Sequence, residues 1–244
     1  MVVNLAAELK DERYFESTHI EGVKNIISLS ERHAVKKIIH LSSVGVVGMQ
    51  FSRKPVLVNE TFPCHPLSGY ERTKLRSEEL FAAWRDRKNT AVHILRPTNV
   101  FGDQHPRRAL EGFFTRVRKG SNMPSASNAV VNYVYVKDVA HVIRHLLLND
   151  GLPGLMNVGT SMSFEEFVCM AAARLGSGSR VKAVPAAFLQ AGALAAKLFS
   201  PRMHIALRAL MNRVEYDDSL LRKYTGYKYG IEKGIDAAAT FYGL

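Results

Sequence analysis

Short apolar runs alternate along this chain with longer stretches of helical periodicity, and that alternation leaves few folds open. Lys37-Ile38-Ile39-His40-Leu41-Ser42-Ser43 and Ala91-Val92-His93-Ile94-Leu95-Arg96 are rich in β-branched residues and lack a repeating polar face. A strand covered on both sides needs that composition, which belongs to parallel sheets packed between helices. Val2-Val3-Asn4-Leu5-Ala6-Ala7 reads as a further buried parallel strand, and Val130 to Val136 and Leu155 to Val158 add two more. Helices are expected over Glu12 to His33, Tyr70 to about Asp86, Ala109 to Lys119 and Lys137 to Leu148. Ile20, Val23, Ile26, Ile27 and Leu29 supply the apolar face of the first; Asp138 falls in the first turn of the last, where its charge suits the helix dipole. Pro97 cannot donate to a ladder and ends its strand. Gly48 to Gly69 and Gly120 to Asn128 read as loops. Ser163-Phe164-Glu165-Glu166 has capping-box spacing, so a helix should run to about Leu175. Beyond it the chain looks helical, with Pro185 and Pro201 at helix starts. The expectation is an α/β fold: a doubly wound parallel sheet with a smaller, mainly helical C-terminal lobe.

Composition narrows the function classes. At 244 residues, 47% hydrophobic and 23% charged, the chain has apolar content for a real core and is neither disordered nor of low complexity. Cys64 and Cys169 cannot build a disulfide framework, and no Cys/His cluster suggests zinc. No run reaches the roughly 18–20 apolar residues of a membrane span. The nearest, Val184 to Phe199, is broken by Pro185, Gln190, Gly192 and Lys197. The N-terminus lacks the basic-then-apolar order of a signal peptide, so a cytoplasmic protein is expected. A net charge of +11 raises nucleic acid as a partner. Most cations alternate with acids, however, as from Glu71 to Glu79, which suits a solvated helix face. The exceptions are Arg107-Arg108 with Arg116, Arg118 and Lys119, and the stretch from Arg202 to Arg213. No zinc-finger or RNA-recognition signature accompanies them, which argues against a nucleic-acid role.

The most informative spacing is Tyr70-Glu71-Arg72-Thr73-Lys74. Tyr and Lys at i,i+4 share a helix face, and an ammonium beside a phenol stabilises the phenolate. Such a tyrosine can exchange a proton with a sugar hydroxyl or a ketone. The same spacing also suits a plain surface pair on an amphipathic helix. Context adds weight to the chemical reading. Leu41-Ser42-Ser43 ends a parallel strand, and open α/β sheets bind ligands outside the carboxyl ends of their strands. A Ser43 hydroxyl there could bond the oxygen that the tyrosine serves, although Ser42-Ser43 also reads as an ordinary turn. Leu95-Arg96-Pro97-Thr98-Asn99-Val100-Phe101-Gly102 is a second strand end running into a loop.

These residues resemble the extended short-chain dehydrogenase/reductases, also called NAD-dependent epimerase/dehydratases, which mostly act on nucleotide sugars. The matching pieces are VVNLAAE (2–8), EGVKNI (21–26), KKIIHLSSVGVVG (36–48), GYERTK (69–74), LRPTNVFG (95–102), VNYVYVKDVA (131–140), MNVGTSMSFEEF (156–167) and YDDSLLRKYTGYKYGIEKGI (216–235). They follow the family's order along the whole chain. NLAAE, RPTNVFGDQ and the helix opened by Val184-Pro185 are most similar to epimerases and 4-keto reductases of bacterial surface-polysaccharide pathways. The resemblance implies Tyr70 as catalytic acid/base, Lys74 as the group that lowers its pKa and binds the nicotinamide ribose, and Ser43 as the residue that orients the reacting oxygen. Ala6, Ala7, Ser42, Pro97 and Thr98 would also line the cofactor, NAD or NADP with NAD favoured, and Asn99 would contact the substrate's diphosphate. No metal is implied.

The chain departs from the pattern in several places. It has no G-x-x-G-x-x-G to hold a pyrophosphate at a helix N-terminus. It begins at what resembles the family's fourth strand, so it reads as a truncated member with one exposed sheet edge. Residues 1–104 would be the remaining dinucleotide-binding part, and 105–244 the substrate lobe with strands returning to the sheet. By itself such a chain is expected to be a poor or inactive enzyme. His19 stands where the family usually has Asn. Val131 stands where an Arg usually clamps the diphosphate, leaving Arg107, Arg108 and Arg116 as candidate substrate cations. Its absence also admits a hydroxysteroid- or dihydroflavonol-type NADP reductase, and a non-catalytic partner subunit is a third alternative. His141 and His145 read as a structural pair, and Trp84 as packing. By analogy the Glu12–His33 and Tyr70 helices would form a homodimer interface.

Overall fold

In a computed structural model of the chain, the two β-branched runs lie side by side at the centre of a sheet. The structure describes residues 1–48, 51–88, 90–103 and 108–244, the side chains of 86–88, 108 and 202 excepted. The first half contains β1 (Val2–Asn4), a 3-10 turn (Glu12–Tyr14), a π-helical turn (Glu16–Glu21), α1 (Gly22–Arg32) and β2 (Lys37–Leu41). A second 3-10 turn (Val44–Val47) follows, then β3 (Val56–Val58), α2 (Gly69–Lys88), β4 (Ala91–Pro97), β5 (Asn99–Phe101) and α3 (Arg108–Arg118). Next come β6 (Met123–Ser125), β7 (Val130–Tyr135), α4 (Val136–Leu148), β8 (Leu155–Val158), β9 (Thr160–Ser163) and α5 (Phe164–Arg174). The chain continues with β10 (Val181–Ala183), α6 (Ala186–Phe199), α7 (Pro201–Ala209), β11 (Val214–Tyr216), α8 (Ser219–Tyr224) and α9 (Gly230–Phe241).

The main sheet is parallel, in the order β1-β2-β4-β8, with Ile38 level with Val2 and Val92. Alternate side chains feed two cores, as period-two geometry requires. Ile38, Val92 and Ile94 pack with Val23, Phe81 and Trp84 under α1 and α2. Ile39 and Leu95 pack with Val139, Val142, Leu146 and Leu221 under α4 and α8. The sheet is therefore wound on both faces, as the sequence predicts. Buried Lys37 donates to Leu146 O at 2.8 Å and Asn149 O at 2.6 Å, placing a cation at the C-terminal end of α4.

The second lobe is less purely helical than expected. It carries a three-stranded sheet, β5-β7-β9, whose faces bury Phe101, Tyr135, Phe114, Phe167 and Ile235. Two further parallel pairs, β10 with β6 and β11 with β3, run through segments that read as loops or helix. Three-residue strands are too short to show a period, which is why the sequence hides them. The first strand is also shorter than predicted: Leu5, Ala6 and Ala7 lie beyond β1 and are exposed. Asp138 does more than favour its own helix. Its buried carboxylate accepts from the backbone N–H groups of Lys228, Tyr229 and Gly230 and so fixes the start of α9. The capping box at Ser163 and Glu166 forms as predicted, and Pro185 and Pro201 open α6 and α7.

Candidate active site

Four chain segments leave the main sheet at its carboxyl ends: after Asn4, Leu41, Pro97 and Val158. Across them lies the first turn of α2. Its start is held by a second capping box that sequence reading misses, Ser68 to Glu71. Ser68 Oγ accepts from Glu71 N at 3.2 Å, and Glu71 Oε2 accepts from Ser68 N at 2.9 Å and Leu67 N at 2.7 Å. The S-x-x-E spacing was there to be found, hidden by the Tyr70 motif that overlaps it.

Within this box sits Tyr70, half-buried, with its ring edge-on to Phe15 at 6.0 Å and to His19 at 5.5 Å. His19 is buried and fixed at both nitrogens: Nε2 accepts from Glu8 N at 3.1 Å, so Nδ1 carries the proton that reaches Thr73 Oγ1 at 2.7 Å. Burial, with the Lys74 charge adding, pushes His19 down to about 4. It is a neutral spacer against Tyr70 and not a packing residue alone.

Lys74 is 1% exposed. Its ammonium donates to Leu41 O at 2.8 Å and lies 3.5 Å from Ala6 O, joining α2 to the ends of β2 and β1. Burial pushes it down to about 8, against the opposing pull of the Glu78 carboxylate. Behind it runs a polar chain. Asn4 Oδ1 accepts from Ala6 N, which turns the Asn4 amide nitrogen toward His40 Nδ1 at 3.1 Å. His40 Nε2 then donates to Ser77 Oγ at 2.9 Å, and Ser77 donates to Lys74 O at 2.6 Å. Glu78 is itself held by Arg96 in a buried bidentate pair with a closest distance of 2.6 Å, and Arg96 also reaches Cys64 Sγ at 3.4 Å.

Ser43 caps the 3-10 turn after β2, its Oγ accepting from Gly45 N at 3.0 Å. Ser43 lines a cavity of about 300 Å³ with Phe51, Thr98, Asn99, Asn132 and Tyr216. Asn99 donates to Asn132 O at 3.0 Å, and Val131 lies on the same wall. Tyr216 has its phenol pushed up to about 12 by burial and the Glu71 charge, so it keeps its proton at neutral pH. Phe51 carries no motif that sequence reading could have used, and Asn132 and Tyr216 lie in family-like stretches without being singled out as site residues. Ser42 and Thr98 follow the ends of β2 and β4, and their buried hydroxyls have no partner among the described residues. Pro97 closes β4 opposite Val158. Arg107 and the Arg108 side chain lie outside the described residues, and Arg116 is exposed on α3.

A doubly wound parallel sheet with its crevice outside the carboxyl strand ends defines the Rossmann-like class of α/β protein. Comparison with known proteins refines that class. The NAD dependent epimerase/dehydratase family matches residues 1–159, and the chain belongs to this family. Among relatives, N-acetyl-alpha-D-glucosaminyl-diphospho-ditrans,octacis-undecaprenol 4-epimerase of Escherichia coli O157:H7 is 29% identical, over 61% of this chain and 45% of the relative. Sterol-4-alpha-carboxylate 3-dehydrogenase of Candida albicans is 28% identical, over 54% of this chain and 39% of the relative. The chain thus spans about half the length of the curated relatives it matches. UDP-glucuronic acid 4-epimerase from Bacillus cereus, solved with NAD, shares the fold at a TM-score of 0.70 and 18% identity, covering 99% of this chain and 74% of that one. RMD from Pseudomonas aeruginosa, solved with NADPH, shares it at 0.68 and 17%, covering 98% and 80%.

Proposed function

We propose that this chain serves an NAD-dependent 4-epimerase or 4-keto reductase acting on a nucleotide sugar. The observation that carries this reading is Lys74, a buried ammonium pinned to the ends of β1 and β2 one helical turn from Tyr70. The nicotinamide end of a dinucleotide fits the residues present: the unpartnered hydroxyls of Ser42 and Thr98, the Lys74 ammonium, and exposed Ala6 and Ala7, whose small side chains leave room at the mouth. Bound there, a nicotinamide cofactor would supply or accept a hydride at C4 of the sugar. Tyr70 moves the matching proton, taking it from the C4 hydroxyl on oxidation and returning it to the oxygen on reduction. Lys74, still mostly protonated at neutral pH, stabilises the Tyr70 phenolate. Ser43 orients the C4 oxygen from the opposite side, while Asn99, with Arg107 or Arg108, holds the diphosphate.

A hydroxysteroid- or dihydroflavonol-type NADP reductase is the second reading, favoured by Val131 on the cavity wall and by the sterol-acting relative. We further place the protein in the cytoplasm, as a homodimer through the 12–33 helical segment and α2.

Turnover of UDP-glucose and UDP-N-acetylglucosamine with NAD, read by chromatographic separation of the C4 epimers, tests the site through a ratio of rates. Tyr70→Phe should lower the wild-type rate by roughly 10²–10⁴-fold with the fold unchanged. Equal and measurable rates in the two proteins would remove Tyr70 from the reaction. Preferential turnover of a steroid ketone with NADPH would select the second reading.

A further inference from the structure

The helical hairpin of α6 and α7 projects an apolar face that none of the described residues covers. Of the 14 residues of α6, Lys197 is the single charged one. Leu189 and Ala193 face inward against Met211 and Leu207, and Ala196 is buried on the same helix. On the other side Phe188, Leu194, Leu198 and Phe199 are 72%, 60%, 81% and 84% exposed, and Met203 and Ile205 of α7 are each 53% exposed. A surface helix ordinarily turns charge outward, so an apolar patch of this kind marks an interaction site.

The hairpin's own charges are all of one sign. Between Val184 and Arg213 there is no Asp or Glu, while Lys197, Arg202, Arg208 and Arg213 occur. Beside the hairpin a cavity of about 350 Å³ is lined by Arg53, Leu194, Lys197, His204 and Arg208. The Arg208 guanidinium lies 5.3 Å from the centre of the Phe51 ring, which also lines the crevice cavity beside Ser43. The hairpin is braced, with the His204 ring bonded to Ala193 O at 2.8 Å and Ser200 capping α7 through Met203 N at 3.3 Å. Its corner, where Leu198 and Phe199 stand out, is therefore a fixed wedge.

We propose that the α6–α7 hairpin docks this protein on the surface of an anionic lipid bilayer. Leu198, Phe199 and Met203 enter the boundary between headgroups and acyl chains, and Lys197 and Arg208 pair with headgroup phosphates. The element lies on the membrane and does not span it: 14 residues of helix rise ~21 Å, short of the ~30 Å hydrocarbon core, and no described helix is long and apolar enough to cross. Phe51 links the docked face to the crevice, so docking holds the cavity mouth beside the headgroups. A protein partner or a second copy would be expected to meet the hairpin with acidic groups of its own. This hairpin offers a second copy only cations.

Flotation of the full chain with phosphatidylcholine vesicles, with and without phosphatidylglycerol, tests the proposal. Wild type should float with the anionic vesicles and lose most of that binding at high salt. Leu198→Glu with Phe199→Glu should weaken binding by at least about tenfold at unchanged circular dichroism and thermal midpoint. Lys197→Glu with Arg208→Glu should remove the preference for anionic over neutral vesicles. Wild type that fails to float, or a Leu198/Phe199 variant that floats as well as wild type, would overturn the proposal. So would a sedimentation dimer that the Leu198/Phe199 substitutions dissolve without any vesicle binding.

Discussion

Beside Lys74 stand two buried histidines that cannot take a proton without breaking their hydrogen bonds. His40 receives the Asn4 amide N–H at Nδ1, so protonating that nitrogen would set two donors against each other. Burial, then the Lys74 and His19 charges, hold His40 down to about 3 from 6.5. The unfolded chain protonates His40 near pH 6.5, whereas the folded chain resists until about pH 3. Between those values the unfolded state binds more protons, so the stability His40 contributes is present above pH 6.5 and declines as the pH falls. At pH 5 that loss is about 2 kcal/mol for His40 alone, by linkage arithmetic. Urea unfolding of wild type and His40→Gln at pH 7 and pH 5 should show a smaller acid loss in the variant. An identical loss in both would mean that His40 does not set the acid limit.

At the scale of elements, the site is assembled by turns. The 3-10 turn that presents Ser43 closes on Gly48, whose φ of +70° suits glycine and whose missing Cβ would stand 1.8 Å from His65 O. Gly48→Ala should cost at least about 2 kcal/mol in the denaturant midpoint. A loss under about 0.5 kcal/mol, within the range of an ordinary surface change, would show that the His65 segment moves freely. Sequence reading found what periodicity and spacing encode: the central strands, α2 through α5, the Ser163 capping box and the Tyr70–Lys74 pair on one helix. It missed β3, β5, β6, β9, β10 and β11, because three or four residues carry no pattern and their pairing is decided by distant chain. Val56 pairs with Val214, a contact that local propensity cannot foresee. The same limit hid the cavity wall, where Phe51, Asn132 and Tyr216 meet from three separate segments. His19 was visible as an odd residue in a familiar position. Its work, bonding Glu8 N and Thr73 while facing Tyr70, depends on the π-helical turn that carries it.

At the scale of the whole molecule, the carboxyl ends of β1, β2 and β4 bring together the Lys74 ammonium and two hydroxyls, of Ser42 and Thr98, that have no partner among the described residues, and the proposed function makes these the nicotinamide half of a dinucleotide site. The chain contains no glycine-rich pyrophosphate loop, so the half-site is best probed with a ligand that needs nothing more. Reduced nicotinamide mononucleotide carries the ring, the ribose and one phosphate, and can be titrated into isotope-labelled protein while the Lys74 and Tyr70 signals are followed by NMR. Saturable shifts at both residues, abolished in Lys74→Ala at unchanged fold, are the predicted result. Shifts that spare Tyr70 and Lys74, or equal affinity in Lys74→Ala, would contradict a nicotinamide site at the ends of these strands.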